Sequence, residues 1–214
     1  MIDADKGAAK EFAEPVVHIV DDDEDLRTSL VFLFESVGIE ALVYPDAHTF
    51  LAEFVPSEPG VVIVDVRMPG LSGFQLQEQL VALEYPAPII FCSAHGDIPM
   101  SVRALQGGAV DFLEKPYEPQ KMLEVVQAQL VNAAERFEAD RQRRGVLERL
   151  AALTPREREV LRLVIDGMAS KQIARELSTS IKTVDVHRAR IKAKTEAESV
   201  GSLVRDILSF RIVV

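Results

Sequence analysis

The chain has 214 residues and a mass of 23.7 kDa, which fits one large or two small domains at about 150 residues per domain. With 48% hydrophobic and 27% charged residues, the composition excludes a disordered chain. No apolar run approaches the roughly 20 residues that cross a bilayer, and the acidic first 14 residues lack the cationic start of a secretory signal. We therefore expect a cytoplasmic protein without a membrane partner. The single cysteine, Cys92, excludes an internal disulfide and, without a His/Cys cluster, a structural zinc site.

The net charge of −10 is unevenly distributed along the chain. Residues 1–134 carry −15, whereas residues 150–214 carry +4. Any contact with nucleic acid is therefore expected in the C-terminal part.

Short β-branched runs alternate with amphipathic helical patterns in the N-terminal part. Because these strands are apolar on both faces, they fit a parallel sheet covered by helices. We predict a doubly wound α/β domain, flavodoxin-like, over residues 15–130, with its site at the carboxyl ends of the strands. The five predicted strands span residues 16–20, 41–44, 61–64, 89–92 and 110–113.

One long helix is predicted after Pro119, because apolar residues recur at alternating steps of three and four. The seam falters in a polar run at 141–145, so we interpret residues 131–149 as a helical linker with a weak point near Gly145. Two interpretations of the seam remain open: a dimerising coil, or the last amphipathic helix of the first domain. The seam residues are Leu123, Val126, Leu130, Ala133 and Phe137.

Short helices are predicted in a small all-α domain at residues 150–214. They span residues 155–165, 170–177, 181–194 and about 199–208. Pro155 follows Thr154, and Glu157 is placed to complete a capping box, which marks the first helix start.

Charged and hydroxyl side chains follow the predicted strands. Asp21, Asp22 and Asp23 follow the first strand and Asp65 follows the third, while Ser93 ends the fourth and Lys115 the fifth. Carboxylates that share a sheet edge repel each other unless a cation neutralises them, and Mg²⁺ prefers such oxygen ligands. The set therefore predicts a magnesium-dependent phosphoryl-transfer site with Asp65 as the nucleophile.

These residues resemble the receiver domain of two-component response regulators. The resemblance implies that Asp65 accepts phosphate from a partner histidine kinase. It also implies that Asp22 and Asp65 bind Mg²⁺ directly, Asp21 acts mainly through water, and the backbone carbonyl of Arg67 is a further ligand. The matching motifs are Val20-Asp21-Asp22, Val64-Asp65-Val66-Arg67-Met68-Pro69-Gly70, Phe91-Cys92-Ser93-Ala94 and Phe112-Leu113-Glu114-Lys115-Pro116.

The same resemblance assigns a switch. Ser93 and Phe112 match the family's switch pair, in which the hydroxyl moves toward the phosphoryl group and the aromatic ring turns inward. Ser93 and Lys115 would donate charge-assisted hydrogen bonds to the phosphoryl oxygens. The homodimer surface would then lie on the fourth helix and fifth strand, at residues 99–108 and 110–113.

The C-terminal helices at 170–177 and 181–194 are spaced as in a helix-turn-helix. Val184 and Ile191 would anchor the second helix, and its positive charge favours phosphate contacts. The segments Leu153-Thr154-Pro155-Arg156-Glu157-Arg158-Glu159-Val160-Leu161, Lys171-Gln172-Ile173-Ala174 and Thr183-Val184-Asp185-Val186-His187-Arg188 resemble the LuxR-type DNA-binding domain.

By that resemblance, side chains of these two helices bind double-stranded DNA. Lys171, Thr183 and Lys194 would contact phosphates, while Asp185, Val186 and Ala189 would face the major groove. Lys182, Arg188 and Arg190 complete the predicted DNA-binding set.

The combination is similar to the FixJ/NarL group of response regulators, closest on the FixJ side. It implies a phosphorylation-controlled transcriptional regulator whose dimer places two recognition helices on two half-sites, with RNA polymerase as a further candidate partner. The alternative class is an aspartyl-nucleophile phosphohydrolase, although Arg67 stands where that enzyme class needs a general acid. A third hypothesis is a regulator that works without phosphorylation or without tight DNA binding, because Thr179, Thr195 and Glu198 depart from the usual family residues.

Overall fold

The computed structural model describes residues 15–94 and 96–214, so the acidic first 14 residues and His95 lie outside the described part. The chain divides into two compact units between Glu138 and Ala139. Within the described ranges, no helix is long and apolar enough to cross a membrane.

The first unit contains a five-stranded, all-parallel sheet in the order β2-β1-β3-β4-β5, which confirms the predicted fold class. Helices α1 to α4 connect the strands. The central strand β3 is buried at every residue, which explains why its sequence is continuously apolar rather than alternating. The strands are β1 Val16–Val20, β2 Ala41–Tyr44, β3 Gly60–Asp65, β4 Ile89–Ser93 and β5 Asp111–Glu114, and the helices are α1 Glu24–Glu35, α2 Ala47–Glu53, α3 Gly73–Ala82 and α4 Ile98–Gln106.

Helix α5 runs without interruption from Pro119 to Ala151. Its predicted seam residues are buried or half-buried within the first unit, and Phe137 packs edge-on against the ring of Tyr85 at 5.4 Å. This packing accounts for the heptad spacing without a second helix. The backbone stays helical through Gly145, where the weak point of the linker is predicted.

The second unit is helical. Its core joins the last turns of α5 to the four following helices through fully buried side chains such as Leu161, Ile173 and Leu203. The predicted capping box is present, since Thr154 and Glu157 accept each other's backbone N–H groups. The helices are α6 Pro155–Ile165, α7 Ser170–Glu176, α8 Ile181–Lys194 and α9 Val200–Ser209.

Candidate phosphoacceptor site and nucleic-acid interface

Two carboxylates and one ammonium meet at the carboxyl edge of the sheet. Asp21 follows β1, Asp65 ends β3 and Lys115 follows β5. The Lys115 Nζ lies 2.7 Å from Asp21 Oδ2 and 2.6 Å from Asp65 Oδ1. The side chain of Lys115 is 17% exposed, that of Asp21 4% and that of Asp65 9%, so this is a buried cluster rather than a surface ion pair.

The remaining carboxylate oxygens accept hydrogen bonds from the backbone. The N–H of Asp23 donates to Asp21 Oδ1 at 3.0 Å, and the N–H of Arg67 donates to Asp65 Oδ2 at 2.5 Å. Each bond fixes a carboxylate with respect to the loop that follows its strand. The two carboxylates are therefore held in place before any ligand arrives.

Burial and charge act in opposite directions on this cluster. Burial raises the pKa of Asp21, and the hydrogen bond from Lys115 only partly offsets that rise. Burial by itself would lower the pKa of Lys115, but the carboxylates of Asp21 and Asp65 outweigh it and raise that pKa. Lys115 is consequently a cation at neutral pH, and it occupies the space between the carboxylates.

The donor set fits a magnesium ion. Asp21 and Asp65 present hard carboxylate oxygens at one point, and Asp22 is exposed beside them. Across residues 15–94 and 96–214, the side chains form no group of three or more His, Cys, Asp or Glu already arranged around a metal position. Lys115 instead supplies the positive charge that the two buried carboxylates require.

The predicted switch residues lie on the two strands beside this cluster. Ser93 ends β4 and is 2% exposed, and its carbonyl oxygen accepts the N–H of Lys115 at 2.8 Å. Phe112 on β5 is half-buried and stacks on Phe91 with 6.3 Å between ring centroids. A Cβ added to Gly96 would lie 2.8 Å from the Phe112 ring, so the loop after β4 closes directly over that ring.

The second unit contains two helices joined by a short turn, with α8 presenting most of its length to solvent. Val184 and Ile191 are fully buried, as predicted for the anchoring face. The hydroxyl of Ser180 caps the helix by accepting the N–H of Thr183 at 3.0 Å. Of the predicted DNA-binding residues, Arg188 is half-buried, and the exposed ones are Lys171, Lys182, Thr183, Asp185, Val186, Ala189, Arg190 and Lys194.

Comparison with known proteins matches each unit to a family. The model of the response regulator receiver domain matches residues 17–127, and that of the bacterial regulatory proteins of the luxR family matches residues 151–205. FixJ of Azorhizobium caulinodans is 41% identical over 192 residues, which cover 90% of this chain and 91% of that protein. The chain belongs to the FixJ-type response regulators.

Two further relatives are similar to this response regulator over more than 90% of its chain. Nodulation protein W of Bradyrhizobium diazoefficiens is 40% identical over 199 residues, covering 93% of this chain and 88% of that protein. The solved structure of the response regulator StyR matches with a TM-score of 0.70 and 43% identity, covering 92% of this chain and all of that one. A receiver domain followed by a LuxR-type DNA-binding domain makes the protein a phosphorylation-controlled transcriptional regulator.

One residue close to the acidic cluster of this response regulator was absent from the sequence prediction. A Cβ added to Gly73 would lie 2.2 Å from the carbonyl oxygen of Asp65. The Gly73 N–H donates a hydrogen bond to the carbonyl oxygen of Val66 at 3.1 Å. Helix α3 therefore begins directly against the backbone that carries Asp65. The available signal was a glycine directly after Ser72, which caps that helix.

The structure gives Lys194 a partner that the sequence did not predict. Its Nζ donates to Glu157 Oε2 at 2.8 Å, and the Glu157 side chain is 3% exposed. Burial raises the pKa of Glu157, but the hydrogen bonds from Lys194 and Thr154 outweigh it and lower that pKa to about 2. Lys194, a predicted phosphate contact, is therefore also the ion-pair partner of Glu157.

Thr195, which departs from the usual family residue, fits the core of the second unit. The side chain is fully buried, and its hydroxyl donates to the carbonyl oxygen of Ile191 at 2.8 Å. A buried hydroxyl with a hydrogen-bond partner has little desolvation cost. The threonine at this position therefore gives no structural reason to expect a less stable second unit.

Proposed function

We propose that Asp65 accepts a phosphoryl group from a cognate histidine kinase and that this modification controls DNA binding by the second unit. The observation that supports Asp65 is its carboxylate, 2.6 Å from the Lys115 ammonium at the carboxyl edge of β3. A carboxylate that is fixed and charge-compensated in this way is a suitable acceptor, because phosphoryl transfer depends mainly on positioning and charge neutralisation.

In the transfer step, an oxygen of Asp65 forms a bond to phosphorus while the bond from phosphorus to the donor histidine nitrogen breaks. The electron pair of that bond stays on the histidine nitrogen, which then takes up a proton. Lys115 moves its hydrogen bond to a phosphoryl oxygen, and the Ser93 hydroxyl donates to another. Mg²⁺, held by Asp21, Asp22, Asp65 and the Arg67 carbonyl, would supply neutralisation of the phosphoryl charge.

The readout is a homodimer that forms on phosphorylation. Its proposed surface combines α4 with β5, beside Phe112. Helix α4 leaves three apolar side chains exposed: Ile98 at 79%, Val102 at 44% and Leu105 at 50%. Apolar area of this kind is stabilised when a partner removes it from water. Movement of the Ser93 hydroxyl toward the phosphoryl group and an inward turn of the Phe112 ring would change how this surface is presented.

Dimerisation would bring two copies of α8 to two half-sites on double-stranded DNA. The proposed phosphate contacts are Lys171, Lys182, Thr183, Arg188, Arg190 and Lys194, with the base edges facing Asp185, Val186 and Ala189. The proposed domain boundaries are residues 15–130, 131–149 and 150–214. RNA polymerase is a further proposed partner of the DNA-bound dimer.

The phosphoacceptor proposal is tested by intact-protein mass spectrometry after incubation with acetyl phosphate and Mg²⁺. We expect one added phosphoryl group on the wild type when Mg²⁺ is present and none when the metal is chelated beforehand. We expect no added phosphoryl group on Asp65→Asn under either condition. A matched control is Asp25→Asn, which removes an exposed carboxylate from α1 and should leave the incorporation unchanged. Incorporation into Asp65→Asn equal to wild type would contradict the assignment. Sustained hydrolysis of phosphate monoesters would instead favour the phosphohydrolase alternative.

A further inference from the structure

Asp185 is an unusual residue for a DNA-facing helix, because it adds negative charge to an otherwise basic surface. It is exposed on α8, one turn after the cap. Within the described part of the chain, no basic side chain lies within 4.0 Å of its carboxylate. A carboxylate here is repelled by DNA phosphates, so a role in non-specific affinity is excluded.

The structure shows what holds this carboxylate. The hydroxyl of Ser170, the first residue of α7, donates to Asp185 Oδ1 at 2.9 Å. This bond joins the two helices of the helix-turn-helix at the surface, across 15 positions of sequence. It occupies Oδ1 and leaves Oδ2 as the acceptor that has no protein partner among the described residues. A side chain restrained in this way loses less conformational entropy when it contacts a base.

We propose that Asp185, positioned by Ser170, reads a cytosine in each half-site. An ionised carboxylate only accepts hydrogen bonds, and the donors in the major groove are the amino groups of cytosine and adenine. On adenine the N7 acceptor lies beside the amino group and repels a carboxylate, whereas cytosine has no acceptor at that edge. Cytosine is therefore the base that one free carboxylate oxygen selects.

The neighbouring residue Val186 sharpens the assignment. Its side chain is 42% exposed on the same turn of α8 and carries no polar atom, so its complement in the major groove is a thymine methyl group. Asp185 also works by exclusion, because a guanine or a thymine at the position that it faces offers acceptors without a donor and leaves its charge unpaired. The proposed specificity element is thus a cytosine with a thymine nearby.

This inference rests on the proposed placement of α8 in the major groove. It is tested by selecting duplexes from a random-sequence pool with the full chain in the presence of acetyl phosphate and Mg²⁺. We expect the wild type to select a consensus with cytosine at one position per half-site, preferred about tenfold over other bases. Asp185→Asn should move that position to adenine, since an amide side chain pairs with adenine N6 and N7.

Variants of the adjacent residues separate positioning from affinity. Ser170→Ala should lower the cytosine preference about threefold and leave the rest of the consensus unchanged, while Ser170→Thr, which keeps a hydroxyl, should restore it. Lys171→Ala is the matched control, because it should weaken binding to all duplexes equally and leave the base preference intact.

The possible results separate a failure of the cytosine assignment from a failure of the proposed placement of α8 in the major groove. If Asp185→Asn and wild type select the same base at every position, the cytosine assignment is overturned while the DNA interface stands. If Ser170→Ala behaves as wild type, the positioning role is overturned. If the phosphorylated wild type selects no consensus, both the inference and the proposed placement of α8 are wrong. Thermal unfolding of each variant, expected to match wild type because Lys171 and Asp185 are exposed and Ser170 is only half-buried, confirms that the comparison is between folded proteins.

Discussion

Replacing Lys194 by methionine tests whether this residue serves the core of the second unit rather than DNA. The Lys194→Met change keeps the aliphatic stem and removes the charge that faces Glu157. A fall in the pKa of Glu157 from its ordinary 4.5 to about 2 corresponds to about 3 kcal/mol, at about 1.4 kcal/mol per pKa unit. The hydrogen bonds from Thr154 supply part of this free energy. Solvent also screens the ion pair, because the Lys194 side chain is 37% exposed. We therefore assign about 1.5 kcal/mol to Lys194.

The assay is amide hydrogen exchange of peptides from α8, which reports on the second unit separately. At pH 7 we expect exchange about tenfold faster in Lys194→Met than in wild type. Because the pKa of Glu157 is lowered on folding, its stabilisation is present above pH 4.5 and is lost as the pH falls toward 2. The difference between the two proteins should therefore shrink across that range.

The control is Lys192→Met, which removes an exposed charge from the same last turn of α8. It should leave exchange at the wild-type rate. Unchanged exchange in Lys194→Met, together with weaker DNA binding and a salt slope reduced by about 1, would refute this assignment of Lys194 to the core and favour the predicted phosphate contact.

Three further predictions concern the first unit. Burial lowers the pKa of His18 to about 4, so the stability of the wild type should fall as the pH drops from 6.5 to 4, because the unfolded histidine takes up a proton before the folded one does. Denaturant titrations across this range should show a loss about 3 kcal/mol smaller in His18→Leu than in wild type, and an equal loss in both proteins would contradict the prediction. Gly73→Ala places a methyl group against the Asp65 carbonyl and should cost about 2 kcal/mol and slow phosphoryl incorporation; wild-type rate and stability would exclude this packing role. Phe137→Ala should cost about 3 kcal/mol without changing the oligomeric state seen by gel filtration, whereas a change in association alone would favour the dimerising coil.

The sheet and its acidic edge could be predicted because their signals are local. Each predicted strand is a short, mostly apolar run, and a charged or hydroxyl residue stands at or just beyond its end, as Asp65 does for β3 and Ser93 for β4. Parallel strands place those ends together whatever the loops do. What sequence could not give was the pairing within the cluster, since the reach of Lys115 to both carboxylates depends on β5 lying two strands away from β3.

The second unit shows where local signals end. The capping box at Thr154 and Glu157 was evident from spacing, but the partner of Glu157 is Lys194, 37 residues further along the chain. The bond from Ser170 to Asp185 likewise joins different helices. At Gly145, where the polar run predicts a weak point in the linker helix, the backbone stays helical, with residues before it packed in the core of the first unit and residues after it in the core of the second.

The central claim is that phosphorylation of Asp65 controls DNA affinity. Its most direct test is fluorescence anisotropy with a duplex selected by the phosphorylated wild type, measured for wild type and Asp65→Asn, each with and without acetyl phosphate and Mg²⁺. We expect the phosphodonor to raise wild-type affinity about tenfold or more and to leave Asp65→Asn unchanged. Equal affinity in all four measurements, or an equal rise in both proteins, would contradict the account.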